Sequence, residues 1–304
     1  MQVIEPDRDY TARKATIVTL GNFDGVHIGH QKILKKVVER GEALNLPSLV
    51  YTFEPHPLTV VAPHRSPVLI STRRDKTRHI ASLGISRLIL ARFTIEFAAR
   101  HPTEFVEEVI MGQLKAREVW VGHDYRFGRG KGGTVEHLKE LGRESGFAVH
   151  VIPAQKKNGH IVSSSIIRRY IQDGKVREAA QLLGRSHSLS GPVVRGDGRG
   201  ATIGFPTANI ASDGNLMPKN GVYAVYVTIG RTRRLGVANI GLAPTFNRER
   251  PCLEVHLLDF NNSIYGKELR IEFVERLRGE RTFESADALT QQIEKDIETG
   301  RRIL

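Results

Sequence analysis

Two histidines and three glycines near the start of the chain have the types and spacing of a phosphate site. The residues from Gly21 to Gln31 read Gly-Asn-Phe-Asp-Gly-Val-His-Ile-Gly-His-Gln. Glycine lets the backbone approach a ligand closely. His27 and His30 are three residues apart, so at the start of a helix they face one direction. Two such imidazoles can donate hydrogen bonds to charge that develops on a phosphoryl oxygen, although a pair of surface histidines near a turn is the simpler interpretation of His-x-Gly-His alone.

The flanking sequence places this stretch between a strand and a helix. The apolar run 15–20 precedes it, and apolar residues recur at helical spacing over 32–44. The N-terminus of that helix would offer free N–H groups to an anion. A Walker-type loop would instead need Gly-Lys followed by Ser or Thr, which the sequence lacks.

The first part of the chain has the strand and helix alternation of a Rossmann-like α/β domain with a parallel sheet. Its apolar runs are 15–20, 48–53, 87–93, 118–122 and 147–152. Ligands bind beyond the carboxyl ends of such strands. We therefore expect one edge of the sheet to be lined by the segments that leave the strands, at 21–27, 54–57, 94–102, 123–133 and the residues leading to Ser163.

Three of these segments carry further binding candidates. Glu54-Pro-His-Pro57 is a rigid exit loop, because proline cannot continue a central strand. The glycines and cations of 121–133 suit a mobile loop that covers phosphates. Ser163-Ser-Ser-Ile-Ile-Arg168 predicts a helix start whose hydroxyl and N–H groups hold an anion. Taken singly, these patterns are also typical of a plain turn, a basic surface loop and a helix cap.

After Gly184 the pattern changes to short strands with glycine turns, which predicts a small antiparallel barrel or sandwich. The expected strands are 189–195, 202–210, 221–229, 234–240, 252–259 and 268–276. The segment 284–299 has apolar residues at helical spacing and predicts a closing helix. A chain of 304 residues is long enough for two modules, and we place them at 1–184 and 185–304.

The second module has its own candidate site. A glycine-rich loop over 191–200, flanked by Arg195 and Arg199, could wrap the phosphate tail of ATP. Thr207 and Asn209 are two apart, so on an extended segment they share a face and offer two oxygen ligands to Mg²⁺. Glu254 alternates with apolar neighbours, which sets its carboxylate apart from the core. On spacing alone, a solvent-facing strand glutamate is the alternative interpretation.

Composition narrows the classes of partner. The net charge of +12 is mostly in residues 1–184, which carry +9 against +3 for the remainder. This charge is dispersed, which suits anionic small substrates better than nucleic acid. The single cysteine leaves no intramolecular disulfide, and no run approaches about 18 apolar residues. We expect a cytoplasmic protein with no membrane partner, and a weak homo-oligomer stays an option.

The motifs together resemble a known enzyme family. The stretch 21–31 is similar to the nucleotidylyltransferase superfamily, and Gly-Asn-Phe-Asp-Gly-Val-His is similar to the adenylyltransferase half of bacterial bifunctional riboflavin kinase/FAD synthetases. Thr52-Phe-Glu-Pro-His-Pro57, the run 121–128, Pro206-Thr-Ala-Asn209 and Glu254-x-His extend the resemblance over nearly the whole chain. The sequence departs from the family at Ser165, usually threonine, at Lys131–Thr134, and at Ala243, usually arginine.

This resemblance implies two reactions and a role for each matching residue. The second module would phosphorylate riboflavin to FMN, and the first would adenylylate FMN to FAD, each with ATP and Mg²⁺. In the first, His27 and His30 are catalytic, ATP is bound by Gly21, Asn22, Phe23, His27, His30, Ser164, Ser165 and Arg168, and the flavin side is lined by Phe53, Pro57, Asp124 and Arg126. In the second, ATP is bound by Gly196, Gly198, Gly200, Thr207 and Asn209, of which Thr207 and Asn209 hold the metal, and Glu254 is the general base.

Two rival hypotheses make different demands on the sequence. A class I aminoacyl-tRNA synthetase shares His-Ile-Gly-His, but it would usually carry a Lys-Met-Ser-Lys-Ser-like loop, which this chain lacks. A nucleic-acid-binding module predicts a concentrated basic stripe with interleaved aromatics. Aromatic residues make up only 7% of the chain, which favours the enzyme.

Overall fold

The computed structural model describes residues 1–6, 8–196, 198–212, 214–242 and 251–304. By its internal contacts the chain divides into two compact units, Met1–Ser163 and Ser164–Leu304. The helices between Ser164 and Leu183 belong to the second unit, because the later one packs on strands of that unit. The boundary predicted near Gly184 separates two functional modules, whereas the two compact units divide at Ser164. The functional boundary stays a prediction.

The first unit contains the expected parallel sheet, with one strand more than the sequence suggested. Its strands are β1 (Gln2–Ile4), β2 (Thr16–Leu20), β3 (Ser48–Glu54), β4 (Arg87–Arg92), β5 (Ala116–Gly122) and β6 (Ala148–Ile152). They lie in the order β1-β4-β3-β2-β5-β6, and every neighbouring pair is parallel. The sequence analysis missed β1, since three residues beside a charged segment make no recognisable apolar run.

Helices cover both faces of this sheet. They are α1 (Ile28–Ala43), α2 (Pro57–Val61), α3 (Arg73–Ala81), α4 (Ile95–Ala98), α5 (Pro102–Glu104), which continues as π-helical turns over Phe105–Gln113, and α6 (Val135–Ser145). Neighbouring residues of one strand are buried in different clusters, Ile17 on one face and Val18 on the other. A sheet buried on both faces reads as continuous apolar runs, which is why its strands were easy to find in the sequence. A short hairpin, β7 (Lys156–Lys157) and β8 (His160–Ile161), follows β6.

The strand order fixes where a ligand can bind in this unit. Strand β2 lies between β3 and β5, so the chain proceeds from β2 to one side of the sheet and later returns to the other. A crevice forms outside the carboxyl ends of the strands at such a switch point. The segments after β2 and β5 leave the sheet there.

The second unit is a closed antiparallel barrel with helices before and after it. Helices α7 (Ser164–Gln172) and α8 (Val176–Leu183) come first, α9 (Arg199–Thr202) is inserted, and α10 (Ala286–Ile303) ends the unit. The strands are β9 (His187–Val194), β10 (Ala208–Ile210), β11 (Gly221–Ile229), β12 (Thr232–Leu242), β13 (Pro251–Leu257) and β14 (Glu268–Arg278). Their order is β10-β13-β12-β11-β14-β9, closed by the β9–β10 pair.

The strand expected at 202–210 is the clearest error of the sequence analysis. Residues 199–202 form α9 instead, and only Ala208–Ile210 joins the barrel. Gly204 has a φ of 89°, and the Phe205 N–H returns to the Gly200 carbonyl at 2.8 Å. This turn redirects the chain before the strand begins, and an apolar pattern in the sequence does not reveal it.

An ion pair with little solvent exposure holds the closing helix to the barrel. The Arg278 guanidinium on β14 meets the Asp296 carboxylate on α10 at 2.8 to 3.1 Å. The two side chains are 13% and 7% exposed. Removing one partner of such a pair leaves the other charge buried without compensation.

We expect Asp296→Ala to lower the free energy of unfolding of the second unit by about 3 kcal/mol or more, because Arg278 would lose its counter-charge. Urea unfolding followed by circular dichroism measures this loss. The single tryptophan, Trp120, lies in the first unit, so its fluorescence transition should stay in place.

Arg301→Ala is the matched control on the same helix. Arg301 pairs with Asp259 at 2.7 Å, but both side chains are well exposed, and exposed pairs contribute little. Its unfolding midpoint should stay near that of the wild type. If Asp296→Ala and Arg301→Ala lower the free energy of unfolding equally, burial of the Arg278–Asp296 pair does not contribute to stability.

Candidate active sites

The loop between β2 and α1 is tightly folded and buried. Phe23 and Val26 have positive φ values of 50° and 41°, and Gly25 has 79°. Such conformations cost of order 1–3 kcal/mol each for residues other than glycine. Phe23 and Val26 are only 2% and 1% exposed, and they pack in the cluster that contains Ile33 and Leu34 of α1. Burial of these side chains offsets the strain and fixes the path of the loop.

His27 is the N-cap of α1. The His30 backbone N–H donates to His27 Nδ1 at 3.2 Å, so Nδ1 is an acceptor and cannot carry a proton. In the neutral ring the proton is therefore on Nε2, which is left as a donor. The helix begins four residues earlier than the sequence suggested, which places His27 at the cap and His30 in the first turn.

The rings of His27 and His30 are stacked, with centroids 3.5 Å apart and planes at 16°. The expectation that the two side chains share one direction is therefore met. His30 Nδ1 is buried and makes no hydrogen bond within the described part of the chain. Desolvation, and then repulsion from His27, hold the pKa of His30 well below 6.5. His30 is uncharged at neutral pH, and an anion beside it would raise its pKa again.

Segments from other strands meet this loop at the carboxyl edge, as predicted. Asn22 Nδ2 lies 3.4 Å from His56 Nε2 in the segment after β3. Thr52 Oγ1 donates to the Asn22 carbonyl at 3.2 Å. After β6, Gln155 Oε1 accepts from Lys32 Nζ of α1 at 3.2 Å.

Aromatic side chains gather beside the ends of β3 and β4. Phe53 packs edge to face against Tyr51, Phe93 and Phe97, with centroids 5.2 to 5.6 Å apart. Phe53, Phe93 and Phe97 are partly exposed, so they form an apolar surface suited to a planar ring. Among these residues, only Phe53 was predicted from the sequence. Pro57 begins α2, which His56 caps through its ring nitrogen.

The segment after β5 carries Asp124 and Arg126, both exposed. The loop that follows is closed by hydrogen bonds between Phe127 and Gly133 at 2.9 and 3.1 Å. A Cβ at Gly133 would lie 2.6 Å from the Phe127 ring. The loop therefore requires glycine at position 133, although residues Lys131–Thr134 differ from the usual family pattern. Thr134 then caps α6 by accepting from the His137 N–H at 3.2 Å.

Ser164, Ser165 and Arg168 lie in the first turns of α7, in the second unit. The helix start expected there is present. Ser164 and Arg168 are partly buried, and Ser165 is exposed. Their predicted contact with ATP phosphates stays a prediction.

The candidate site of the barrel is a row of polar residues across three strands. Glu254 on β13 is paired in register with Asn209 on β10 and with Asn239 on β12. Directly paired residues of antiparallel strands point to the same face. The alternating neighbours Leu253 and Val255 are buried in the barrel core, so this row lies on the outer face.

The glycine-rich loop lies against the same row. A Cβ at Gly196 would lie 2.1 Å from Asn209 Nδ2. A Cβ at Gly200 would lie 2.3 Å from the Phe205 carbonyl and 3.4 Å from Thr207 Oγ1. Gly198 has a φ of 72°. The loop therefore brings its backbone close to both predicted metal ligands. A larger residue at 200 would clash with backbone, and one at 196 would displace the Asn209 side chain.

Other contacts orient these ligands. The Cys252 thiol donates to Asn209 Oδ1 at 3.4 Å, and the His256 ring lies 2.9 Å from the Pro206 carbonyl through Nδ1. Ala243 and the Pro244-Thr-Phe246 motif lie outside the described residues, as does the side chain of Arg199. Asn239 was absent from the predicted site, since only strand pairing reveals that it flanks Glu254.

An α/β unit with a histidine-capped helix at the carboxyl edge of its sheet, followed by a barrel with a carboxylate between two amides, indicates a two-domain enzyme that uses nucleotides. Comparison with protein families identifies the kind of enzyme. The FAD synthetase family matches residues 9–166 and the riboflavin kinase family matches residues 183–304. The chain belongs to the bifunctional family that joins these two domains.

Relatives cover nearly the whole chain. A bifunctional riboflavin kinase/FMN adenylyltransferase of Escherichia coli K12 is 38% identical over 95% of this chain and 93% of its own. The enzyme of the same name from Bacillus subtilis 168 is 38% identical over 92% and 90%. A solved structure described as a macrolide-efflux protein from Streptococcus pneumoniae matches with a TM-score of 0.90, 33% identity and 98% coverage of both chains. No helix among the described residues of the present chain is long and apolar enough to cross a membrane.

The lowered pKa of His30 can be tested by histidine NMR, with His30→Gln used to assign the signal. We expect His30 in the free protein to titrate well below 6.5, and its midpoint to rise when pyrophosphate binds. Because the unfolded chain binds this proton more readily, the free energy of unfolding should fall as pH drops below 6.5. This loss should be smaller in His30→Gln. A free-state midpoint at or above 6.5 would contradict the buried environment of the ring.

The packing of the glycine loop predicts that Gly196→Ala displaces the Asn209 amide. Gly196 has an ordinary negative φ, so this contact, rather than backbone strain, should dominate the effect. We expect roughly a tenfold or greater loss of FMN formation, with FAD formation from supplied FMN retained. Gly279→Ala is the control, because its Cβ would meet only Arg276 at an ordinary 3.6 Å. Equal FMN formation by the two variants would refute the assigned contact.

Proposed function

We propose that two modules, 1–184 and 185–304, carry out consecutive steps of flavin cofactor synthesis at separate sites. The second module phosphorylates riboflavin with ATP to give FMN, and the first adenylylates FMN with a second ATP to give FAD and pyrophosphate. The observation that carries this proposal is the order of the two family matches along one chain. The first match contains His27 and His30, and the second contains Thr207, Asn209 and Glu254.

In the kinase reaction, Glu254 is proposed as the general base. Its carboxylate accepts the proton of the riboflavin 5′-hydroxyl while that oxygen attacks the γ-phosphorus of ATP, and ADP leaves. The register beside Asn209 supports this role, since it sets the carboxylate next to the segment proposed to hold the ATP phosphates.

The Asn209 and Thr207 oxygens fit a Mg²⁺ ion, which prefers hard oxygen ligands and keeps several waters or phosphate oxygens. The described residues contain no cluster of three or more acidic, histidine or cysteine ligands. When bound, Mg²⁺ screens the phosphate charges and orients the γ-phosphoryl group. The thiol of Cys252 helps to orient the Asn209 oxygen.

In the adenylyl transfer, a phosphate oxygen of FMN attacks the α-phosphorus of ATP in line, and pyrophosphate leaves. No side-chain base is needed, because the FMN phosphate is already anionic at pH 7. Positioning and electrostatic stabilisation then do most of the work. His27 Nε2–H, His30 and the first N–H groups of α1 are suited to stabilise the phosphate charge.

The resemblance to the family adds further contacts. Gly21, Asn22 and Phe23 would bind ATP from the loop, and Ser164, Ser165 and Arg168 at the start of α7 are predicted to bind its phosphates. The isoalloxazine ring would pack on the aromatic surface around Phe53, with Pro57, Asp124 and Arg126 on the flavin side. We place the functional boundary between modules 1–184 and 185–304.

The partners proposed are small molecules: ATP, riboflavin, FMN and FAD. Dispersed positive charge supports this choice over nucleic acid, and the single cysteine supports a reducing cytoplasm. Steep salt-dependent RNA affinity in a filter-binding assay would favour the nucleic-acid alternative instead. A weak homo-oligomer is compatible with this scheme, and the scheme does not require one.

The two-site assignment predicts opposite defects in two conservative variants. His27→Asn keeps a good N-cap residue but removes the imidazole donor. This variant should make FMN from riboflavin but should not convert FMN to FAD. Glu254→Gln keeps the shape of the side chain but removes the base, so it should make FAD only from supplied FMN. We expect roughly a hundredfold loss of the affected step in each case. Chromatographic separation of riboflavin, FMN and FAD, with ATP and Mg²⁺ present, measures both steps.

His27→Ala and Glu254→Ala serve as the more severe partners of these variants. If one substitution abolishes both the formation of FMN from riboflavin and the formation of FAD from supplied FMN, the reactions do not occur at separate sites. If the wild type makes neither product, the proposed function is wrong despite the motifs.

A further inference from the structure

Arg100 lies at the edge of the aromatic surface formed by Phe53, Phe93 and Phe97, and the mechanism above gives it no role. It stands between α4 and α5, in the segment after β4. Its guanidinium carbon lies over the Phe97 ring, 5.0 Å from the centroid. The Phe97 centroid is in turn 5.6 and 5.5 Å from those of Phe53 and Phe93. A cation over an aromatic face is attracted to it, so Phe97 holds the guanidinium beside this surface.

The guanidinium has donors to offer to a ligand. Its Nη1 lies 3.2 Å from the Glu108 carboxylate, and the two side chains are 37% and 58% exposed. An exposed pair of this kind contributes little to stability. A guanidinium carries five N–H donors, and Glu108 is the one ionic partner of Arg100 among the described residues. Donors are therefore present at the edge of the aromatic surface.

The backbone of Arg100 joins this segment to the one that follows β5. Its carbonyl accepts from the Arg129 N–H at 2.7 Å. The preceding Gly128 lies so close to Pro102 that a Cβ there would be 2.8 Å from the proline ring. Arg100 is thus held from two sides, by Phe97 under its side chain and by the loop of Arg129 at its backbone.

The chemistry of a flavin decides which of its edges suits this position. The isoalloxazine ring has an apolar dimethylbenzene edge and a pyrimidine edge with two carbonyl oxygens. A guanidinium covered by the apolar edge would lose hydration without gaining a hydrogen bond, which costs free energy. Against the pyrimidine edge it would donate charge-assisted hydrogen bonds to carbonyl oxygens. A ring packed on the aromatic surface is therefore favoured with its pyrimidine edge toward Arg100.

We propose that Arg100 is a specificity-determining residue of the adenylyltransferase site, where its guanidinium binds the pyrimidine edge of the isoalloxazine ring. The bound guanidinium fixes how the ring lies on the aromatic surface, and hence on which side the ribityl phosphate leaves it. This inference rests on the proposed formation of FAD by the first module.

The test measures FAD formation by the full chain, with lumiflavin as a competitor of FMN. Lumiflavin keeps the isoalloxazine ring and lacks the ribityl phosphate. Arg100→Met keeps the length of the side chain and removes its donors. It should raise the KM for FMN and the inhibition constant of lumiflavin by the same factor, roughly tenfold, as expected for lost charge-assisted hydrogen bonds. The KM for ATP should stay unchanged.

Glu108→Gln and Arg143→Met are the matched controls. The first removes the ionic partner of Arg100 and keeps the guanidinium. The second removes an exposed arginine from the last turn of α6. Both should keep the wild-type constants for FMN and lumiflavin. In every variant, formation of FMN from riboflavin and the unfolding transition of Trp120 fluorescence should stay near those of the wild type, which checks folding.

A double-mutant cycle tests the contact between Arg100 and Phe97. Phe97→Leu removes the ring that holds the guanidinium in place. If the held guanidinium binds the flavin, Phe97→Leu and Arg100→Met together should raise the inhibition constant of lumiflavin by less than the product of their separate factors.

Arg100→Lys keeps the test decisive if Arg100→Met folds poorly. Lysine retains the charge but lacks the planar fork of donors. The inhibition constant of lumiflavin should therefore still rise several-fold in Arg100→Lys.

Five results would overturn the inference: wild-type constants in Arg100→Met or in Arg100→Lys, a rise for FMN without a rise for lumiflavin, an equal rise in the KM for ATP, strictly multiplicative factors in the cycle, or a wild type that makes FAD without inhibition by lumiflavin. The second of these would place the guanidinium on the FMN phosphate. Failure of the wild type to make FAD would instead reject the proposed function, so the two failures are distinguishable.

Discussion

The start of α1 depends on one hydrogen bond, from the His30 backbone N–H to the His27 ring. This bond caps the helix, selects the tautomer of His27 and brings the two imidazoles into a stack at 3.5 Å. The buried Phe23 and Val26 hold the preceding loop in positive φ, so the cap cannot move without exposing apolar surface. A rigid loop with oriented donors is what electrostatic stabilisation of a phosphate requires, since reorganisation during the reaction would cost free energy.

The buried environment of His30 suits the anionic guest proposed for the first unit. His30 is neutral because it is desolvated beside His27. A phosphate beside this ring would favour its protonated form and raise its pKa. In the proposed site, binding of an anion and protonation of His30 are therefore coupled.

The sequence predicted the features that depend on local pattern and missed those that depend on pairing. Apolar runs located β2 to β6, because a buried parallel sheet makes each strand apolar on both faces. The sequence predicts one strand over 202–210, because the turn at Gly204 depends on a contact between Phe205 and Gly200 that no local pattern reveals. Asn239 became a neighbour of Glu254 only through the register of β12 and β13. Lys76 stands in the polar run Arg73-Arg-Asp-Lys76, which reads as a solvated helix face although Lys76 is buried.

The two architectures explain why each site lies where it does. Helices cover both faces of the parallel sheet, so its backbone and side chains can meet a ligand only beyond the strand ends, on loops that need caps and buried charges to hold them. The barrel instead fills its interior with apolar side chains, which leaves its outer face for chemistry. There the strand register itself spaces Asn209, Glu254 and Asn239, and a glycine loop only has to lie against them. The positions of the candidate site residues therefore depend on how the loops are anchored in the first unit and on strand pairing in the second.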